Sequence, residues 1–71
     1  MDSIINEIFE LLRTYLPESL IYKVDEIGML IKDEKYREAY LVMYELKQNK
    51  LWSPPSKYIQ LMEKFWWNYA N

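Results

Sequence analysis

Carboxylates are the side chains best suited to acid–base chemistry in this chain, and they form two adjacent pairs, Asp25-Glu26 and Asp33-Glu34. General acid–base catalysis requires two such groups held across a cleft, in environments that separate their pKa values. Neighbouring residues on a helix lie about 100° apart and point in different directions. The chain also has no histidine and no cysteine, which removes the commonest general base and the commonest zinc ligands. The sequence predicts no enzyme, no catalytic residue, no cofactor and no metal site.

Three tyrosines, Tyr36, Tyr40 and Tyr44, recur at a spacing of four beside Arg37 and Lys47. Aromatic rings amid positive charge can stack on the bases of single-stranded nucleic acid. Tyr36 and Tyr40, however, fall on the apolar stripe of their helix, and every predicted helix mixes acidic and basic residues. We therefore expect these two rings in the core and no direct contact with nucleic acid. The pattern leaves Tyr44 open between core and surface.

The segment Phe65-Trp66-Trp67 is the clearest sign of a binding surface. Because adjacent helical residues diverge, two neighbouring indoles cannot both enter one small core, and at least one is expected to be partly exposed. Tryptophan is enriched among the anchors of protein interfaces. A helix lying on a membrane usually has a Lys/Arg-rich polar face, whereas here Glu63 offsets Lys57 and Lys64, so no membrane contact is predicted. The aromatic residues predicted to contact a protein partner are Tyr44, Trp52, Trp66 and Trp67.

Charge is distributed unevenly along the chain, whose net charge is −2. Residues 1–34 contain eight acids and three bases, a net charge of −5, whereas residues 35–71 carry +3. An acidic surface attracts basic proteins and repels phosphate backbones. Ordinary solvated helix faces give the same pattern. If the asymmetry serves recognition, the partner is a basic protein, and the acids predicted to contact it are Glu7, Glu10, Asp25 and Glu26.

Composition limits the chain to a single domain, residues 1–71, held together by apolar packing. Of its 71 residues, 51% are hydrophobic and 17% are aromatic, and no cysteine is present to form a disulfide. The acids Asp2, Glu7 and Glu10 near the N-terminus are unlike a signal peptide. No uncharged stretch approaches the roughly 18 residues that span a bilayer. We expect a cytoplasmic protein.

The apolar residues predict an all-α fold, because they recur every three or four residues and Gly28 is the only glycine available for tight turns. Helices are expected at about residues 3–15, 18–31, 35–48 and 54–69. We expect them to pack as an antiparallel four-helix bundle, or as three long helices and a short one.

Prolines and small polar residues set the expected helix ends. Asp2 or Ser3 can cap the first helix, and Pro17 ends it and suits the start of the second. Ser53 is expected to cap the fourth helix, with the two prolines that follow it inside the first turn. The second helix is expected to be the most buried. Gly28 within it indicates either a close helix–helix approach or a tolerated cost of up to about 1 kcal/mol.

Three features of the middle of the chain indicate a family. They are Leu16-Pro17-Glu18 before an apolar helix, the turn Asp33-Glu34-Lys35-Tyr36 leading to Ala39, and Leu51 and Pro54 before Tyr58 and Leu61. In these features residues 14–65 resemble small bacterial immunity proteins of the MafI type, which are acidic helical domains of similar length. The resemblance implies an antidote that binds a secreted toxin, often a nuclease, inside the producing cell and neutralises it by occlusion.

Two other functions fit the same sequence. One is a phage-type small inhibitor such as an anti-CRISPR, which also tends to be small and acidic. The other is a homodimer in which exposed aromatic residues pack on a second copy. Each of the three is a non-enzymatic, protein-binding role.

Overall fold

The helical periodicity of the sequence produces an all-α bundle in the computed structural model, which describes residues 2–71. Four α-helices are present in that range: α1 (Ser3–Tyr15), α2 (Tyr22–Lys32), α3 (Tyr36–Gln48) and α4 (Ser56–Phe65). A 3₁₀ helix (Glu18–Leu20) precedes α2, and a π-helical turn (Trp66–Ala70) continues α4. Residues 2–71 contain no β-strand. The predicted fold class is confirmed.

The start of α1 and the link to α2 follow from local chemistry. The Asp2 carboxylate accepts a hydrogen bond from the Ile4 N–H at 2.7 Å and so caps α1, as expected. Leu16, the residue before Pro17, is extended, which ends α1. The segment after Pro17 first forms the 3₁₀ turn, and the α-helix begins only at Tyr22. The second helix is therefore shorter than the predicted range 18–31.

The turn between α2 and α3 is a Schellman motif with glutamate at the position that glycine usually occupies. Glu34 has a φ of 59°, in the left-handed region. The Lys35 N–H donates to the Leu30 carbonyl at 2.8 Å, and the Glu34 N–H donates to the Ile31 carbonyl at 3.0 Å. These two bonds satisfy carbonyls at the end of α2 that have no partner within the helix. A side chain at this φ costs about 1–2 kcal/mol.

The predicted start of α4 is wrong. The helix begins at Ser56 with Pro55 at the N-cap, and no side chain caps it. Ser53 is exposed in the preceding loop. The reason is steric, because Pro55 disfavours helical geometry at Pro54, so the two prolines cannot share a first helical turn.

Pairwise packing of the helices determines where the core lies. α1 packs mainly against α4, and α2 packs mainly against α3, whereas the contact between α1 and α2 is slight. Only Val24 and Ile27 of α2 are buried, against four residues in each of the other α-helices. The prediction that the second helix is the most buried is therefore wrong. Its outer face is exposed, with Tyr22 and Met29 among the exposed side chains.

The centre of the core is aromatic. Tyr58 and Phe65 of α4 are fully buried, and the Tyr58 hydroxyl donates to the Met43 carbonyl of α3 at 2.8 Å. Burial raises the pKa of Tyr58. Tyr36 and Tyr40 pack against this core, as the sequence predicts. Every buried polar side-chain atom within residues 2–71 has a hydrogen-bond partner.

The π-helical turn fixes the C-terminal end of the chain. The Asn71 N–H donates to the Trp66 carbonyl at 2.7 Å, five residues back rather than four. This wider turn places Ala70 on the buried side, where it is 2% exposed. The Arg37 Nε donates to the Ala70 carbonyl at 2.7 Å, so a side chain of α3 caps the end of the helix. No helix in the described part of the chain is both long and apolar enough to cross a bilayer.

Candidate protein-binding surfaces

Trp52 must be removed from the predicted contact residues, because its side chain is in the core. It is only 9% exposed, and its ring centroid lies 5.4 Å from that of Tyr58 in an edge-to-face arrangement. Its indole Nε1 donates to the Leu46 carbonyl at 2.5 Å. Trp52 lies in the loop after α3, where no helical periodicity indicates which way a side chain points. The loop folds back over α4, and the indole closes that end of the core.

Of the predicted aromatic residues, Trp66 lines a surface groove between α3 and the α4 segment, the α3–α4 groove, and Tyr44 lies next to its lining residue Lys47. The groove has a volume of about 140 Å³. Its lining includes Tyr40 and Lys47 of α3 and Ile59 and Trp66 of the α4 segment. The ring centroids of Tyr40 and Trp66 are 5.0 Å apart. Tyr44 stands beside the groove on α3, and the Lys47 Nζ lies 4.7 Å from its ring centroid. The two rings of the groove, Tyr40 and Trp66, therefore support each other.

Exposure separates the parts of the α3–α4 groove into floor and rim. Trp66 is half-buried and forms the floor with Tyr40. Ile59 is 38% exposed at the rim, and Tyr44, which does not line the groove, is 42% exposed beside Lys47. The question that the sequence left open for Tyr44 is therefore answered in favour of the surface.

Trp67 points away from Trp66, as expected for adjacent helical residues, and is 63% exposed. It belongs to a second feature, the α4 ridge, which comprises Gln60, Glu63, Lys64 and Trp67 and borders a shallow space of about 340 Å³. Glu63 lies between the two features and lines both. The predicted aromatic site is therefore divided between a groove and a ridge.

The predicted acidic contact residues lie elsewhere on the molecule. Glu7 and Glu10 of α1 line a groove with Lys57 of α4, and the Glu7 Oε1 lies 3.3 Å from the Lys57 Nζ. Glu26 pairs with Lys23 at 3.3 Å, and this hydrogen bond raises the pKa of Lys23. Exposed ion pairs of this kind contribute at most about 1 kcal/mol.

Asp25 lies in a fourth feature, the α1–α2 groove, of about 650 Å³. None of the four predicted acids lines the α3–α4 groove or borders the α4 ridge. No group of three or more Asp and Glu side chains in the described part of the chain is placed to hold a metal ion. The acids therefore remain predicted contacts, separate from the aromatic surface.

The sequence did not indicate the α1–α2 groove. Its apolar lining comprises Phe9, Val24, Gly28 and Met29, and Met29 is 68% exposed. A Cβ built on Gly28 would lie 3.8 Å from the Phe9 ring, an ordinary contact distance. The two helix backbones therefore do not meet closely at Gly28. Of the two interpretations offered by the sequence, the structure favours a glycine whose cost is tolerated. Arg13, Asp25 and Lys32 give this groove mixed charge.

Comparisons of the chain with family models, with curated proteins and with solved structures found no match. The surfaces themselves therefore carry the functional argument. Each of them joins exposed apolar or aromatic side chains to charged groups.

Proposed function

We propose that this chain is a non-enzymatic protein-binding domain whose partner is bound at the α3–α4 groove. The observation that carries the proposal is an exposed Ile59 at the rim of a groove whose floor is Tyr40 and Trp66, with the exposed Tyr44 beside the lining residue Lys47. Tyrosine and tryptophan are over-represented among residues that dominate binding energy, especially where they line a small pocket.

The groove suits binding because little needs to be ordered when a partner arrives. Trp66 is packed against Tyr40, and Lys47 lies over Tyr44, so contacts within the chain already favour one arrangement of these side chains. Ordering a flexible side chain at an interface costs about 0.5–1.5 kcal/mol. A preformed aromatic groove avoids most of that cost and accepts an apolar side chain from the partner.

The proposed partner is a basic toxin domain, and the proposed role is that of an immunity protein that occludes it in the cytoplasm of the producing cell. Two things support this: the resemblance of residues 14–65 to MafI-type immunity proteins, and the net charge of −5 on residues 1–34. Glu10 and Asp25, which do not pair in the two ion pairs above, would act on encounter rather than within the groove. Electrostatic attraction of this kind raises the association rate more than the affinity.

The test begins with capture of partners on the tagged chain, followed by titration calorimetry with each purified partner. The proposal requires a basic protein that binds at one-to-one stoichiometry. Ile59→Asp should then weaken binding by about tenfold or more, because it places a charge at the apolar rim. Leu41→Asp is the matched control, since Leu41 is also exposed but does not line the groove. Equal losses from both variants would refute the groove as the binding site.

The electrostatic part has its own test. The double variant Glu10→Lys with Asp25→Lys should slow association at low salt and leave the dissociation rate nearly unchanged. Glu38→Lys with Glu45→Lys is the control, because it makes the same charge change at two exposed acids outside residues 1–34. An association rate that does not depend on these charges would remove the basic-partner proposal while leaving the groove proposal intact.

A further inference from the structure

The α3–α4 groove depends on the π-helical turn that continues α4, because Trp66 of its aromatic floor is the first residue of that turn. The Trp66 N–H donates to carbonyls of α4, whereas its own carbonyl accepts from the Asn71 N–H and so belongs to the turn. The last carbonyls of a helix have no partners within it, so a terminal turn frays unless other groups hold it. What holds this turn therefore bears on the floor of the groove.

Aromatic contacts place the turn against α3 at two points. The ring centroids of Tyr36 and Tyr69 are 5.1 Å apart, and those of Tyr40 and Trp66 are 5.0 Å apart. Tyr36 and Tyr40 are four residues apart and so lie on the same face of α3. Apolar attraction is non-directional, so these contacts alone leave the turn free to slide along α3.

Arg37 supplies a directional contact between the same two elements. Its Nε donates to the Ala70 carbonyl at 2.7 Å, although the two residues are 33 positions apart in the chain. Ala70 is the residue that the turn buries against the core. A hydrogen bond from a charged donor is stronger than one between neutral groups. Arg37 belongs to neither of the two ion pairs within residues 2–71, so no carboxylate in that range draws it away from Ala70.

We infer that Arg37 is a positioning residue for the α3–α4 groove: it holds the π-helical turn on α3 and thereby holds the Trp66 indole against Tyr40. Arg37 itself does not line the groove. It borders a separate depression of about 410 Å³, which Lys35 and Tyr69 also line. Its effect therefore reaches the groove through the turn. The consequence for partner binding rests on the proposed function, whereas the position of Trp66 is a property of the free chain.

The first test observes the Trp66 side chain in the free chain by NMR. The chain has three tryptophans, so three indole N–H signals are expected, and Trp66→Phe identifies the one that belongs to Trp66. Arg37→Met removes the donor and keeps an unbranched side chain. In this variant the Trp66 signal should move towards that of an indole in water, because the ring spends less time against Tyr40. The signal of the buried Trp52 should not move.

Three control variants separate positioning from charge and from general stability. Arg37→Lys restores a charged donor and should return the Trp66 signal towards its original position. Lys35→Met removes the same charge from the same depression and should leave the signal in place, because the hydrogen bonds of Lys35 are made by its backbone. Val24→Ala weakens the core from α2, which does not contact the turn in the described part of the chain, and should also leave the signal in place.

The second test is titration calorimetry with the partner captured on the tagged chain. Arg37→Met should weaken binding about threefold to tenfold, the range expected for the loss of one hydrogen bond that orders the site. Arg37→Lys should regain part of that loss. Lys35→Met should bind as tightly as the unmodified chain, since its side chain does not hold the turn.

The inference is overturned if the Trp66 signal of Arg37→Met stays in place, or if Lys35→Met or Val24→Ala moves it as far. It is also overturned if Ile59→Asp weakens binding and Arg37→Met does not, in which case the groove remains the partner site. The proposed function fails differently. Equal losses from Ile59→Asp and Leu41→Asp would remove the groove as the partner site, while a Trp66 signal that responds to Arg37 would still support the positioning role.

Discussion

Replacing Glu34 with glycine should stabilise the fold. Glu34 occupies the left-handed position of the α2–α3 turn, with a φ of 59°. A residue with a Cβ costs about 1–2 kcal/mol there, and glycine removes that cost. Glycine also gives the unfolded chain more freedom, which opposes the gain by about 0.4–1 kcal/mol. The net expectation is an increase of about 0.5–1 kcal/mol in the free energy of unfolding.

The two Schellman hydrogen bonds should survive this substitution, because both are made by backbone atoms. For a domain of this size, 1 kcal/mol shifts the melting temperature by about 4–8 °C. The expected shift for Glu34→Gly is therefore a few degrees upward. Urea unfolding followed by tryptophan fluorescence measures the free energy directly, since buried Trp52 reports on the core.

Glu34→Ala is the control that separates backbone geometry from charge. It removes the same carboxylate but keeps a Cβ at the strained position, so it should bring no comparable gain. Asparagine tolerates the left-handed region better than most residues and should fall between alanine and glycine. If the glycine variant proves no more stable than the alanine variant, the backbone of Glu34 is not strained as described.

Three further perturbations test the core, the α1–α2 groove and the tyrosines. Phe65→Ala should lower the free energy of unfolding by about 3–5 kcal/mol, because the ring is fully buried. Urea midpoints test this, and an unchanged midpoint would mean that Phe65 is not a core residue. Gly28→Ala should raise stability by about 0.5–1 kcal/mol, since the new Cβ would only touch Phe9. A loss of stability in thermal unfolding would mean that the helices approach more closely there. The free energy of unfolding should also fall as the pH rises from about 10 to 12. Burial raises the pKa of Tyr58, and a hydrogen bond with Asp2 raises the pKa of Tyr69 to about 12, whereas the ordinary tyrosine pKa, expected in the unfolded chain, is 10.0. Below pH 10 the contribution of both tyrosines to stability is fully present. Unfolding measured at a series of pH values should show a smaller loss of stability at alkaline pH for Tyr58→Phe.

Local chemistry explains which parts of the fold were predictable. The range predicted for the first helix coincides with Ser3–Tyr15, because Asp2 caps one end and Pro17 limits the other. The third helix was predicted within one residue of Tyr36–Gln48. In both cases the signals lie within a few residues of the boundary. Tyr58 and Phe65 were also placed correctly in the core, because the apolar stripe of α4 is regular.

Two of the failures depend on how a segment packs against the rest of the bundle. Trp52 is buried because its loop folds onto Tyr58 and the carbonyl of Leu46, which no periodic pattern can indicate. α2 is little buried because α1 packs on α4 rather than on α2, and this pairing of helices depends on the packing of the whole bundle. The same slight contact between α1 and α2 leaves the α1–α2 groove open. For the candidate site, the sequence predicted the divergence of the two indoles but not their division between groove and ridge.

The π-helical turn at Trp66–Ala70 has a consequence for changes in chain length. A turn closed by a bond over five residues contains one residue more than an α-helical turn. Removing Asn68 would leave Ala70 four residues beyond Phe65 by count, so an ordinary α-turn could then hold it on the same buried side. The surplus residue thus gives this helix a place where a deletion can be absorbed locally. Elsewhere in the α-helices, a single deletion would rotate every following side chain by about 100° and misalign the core.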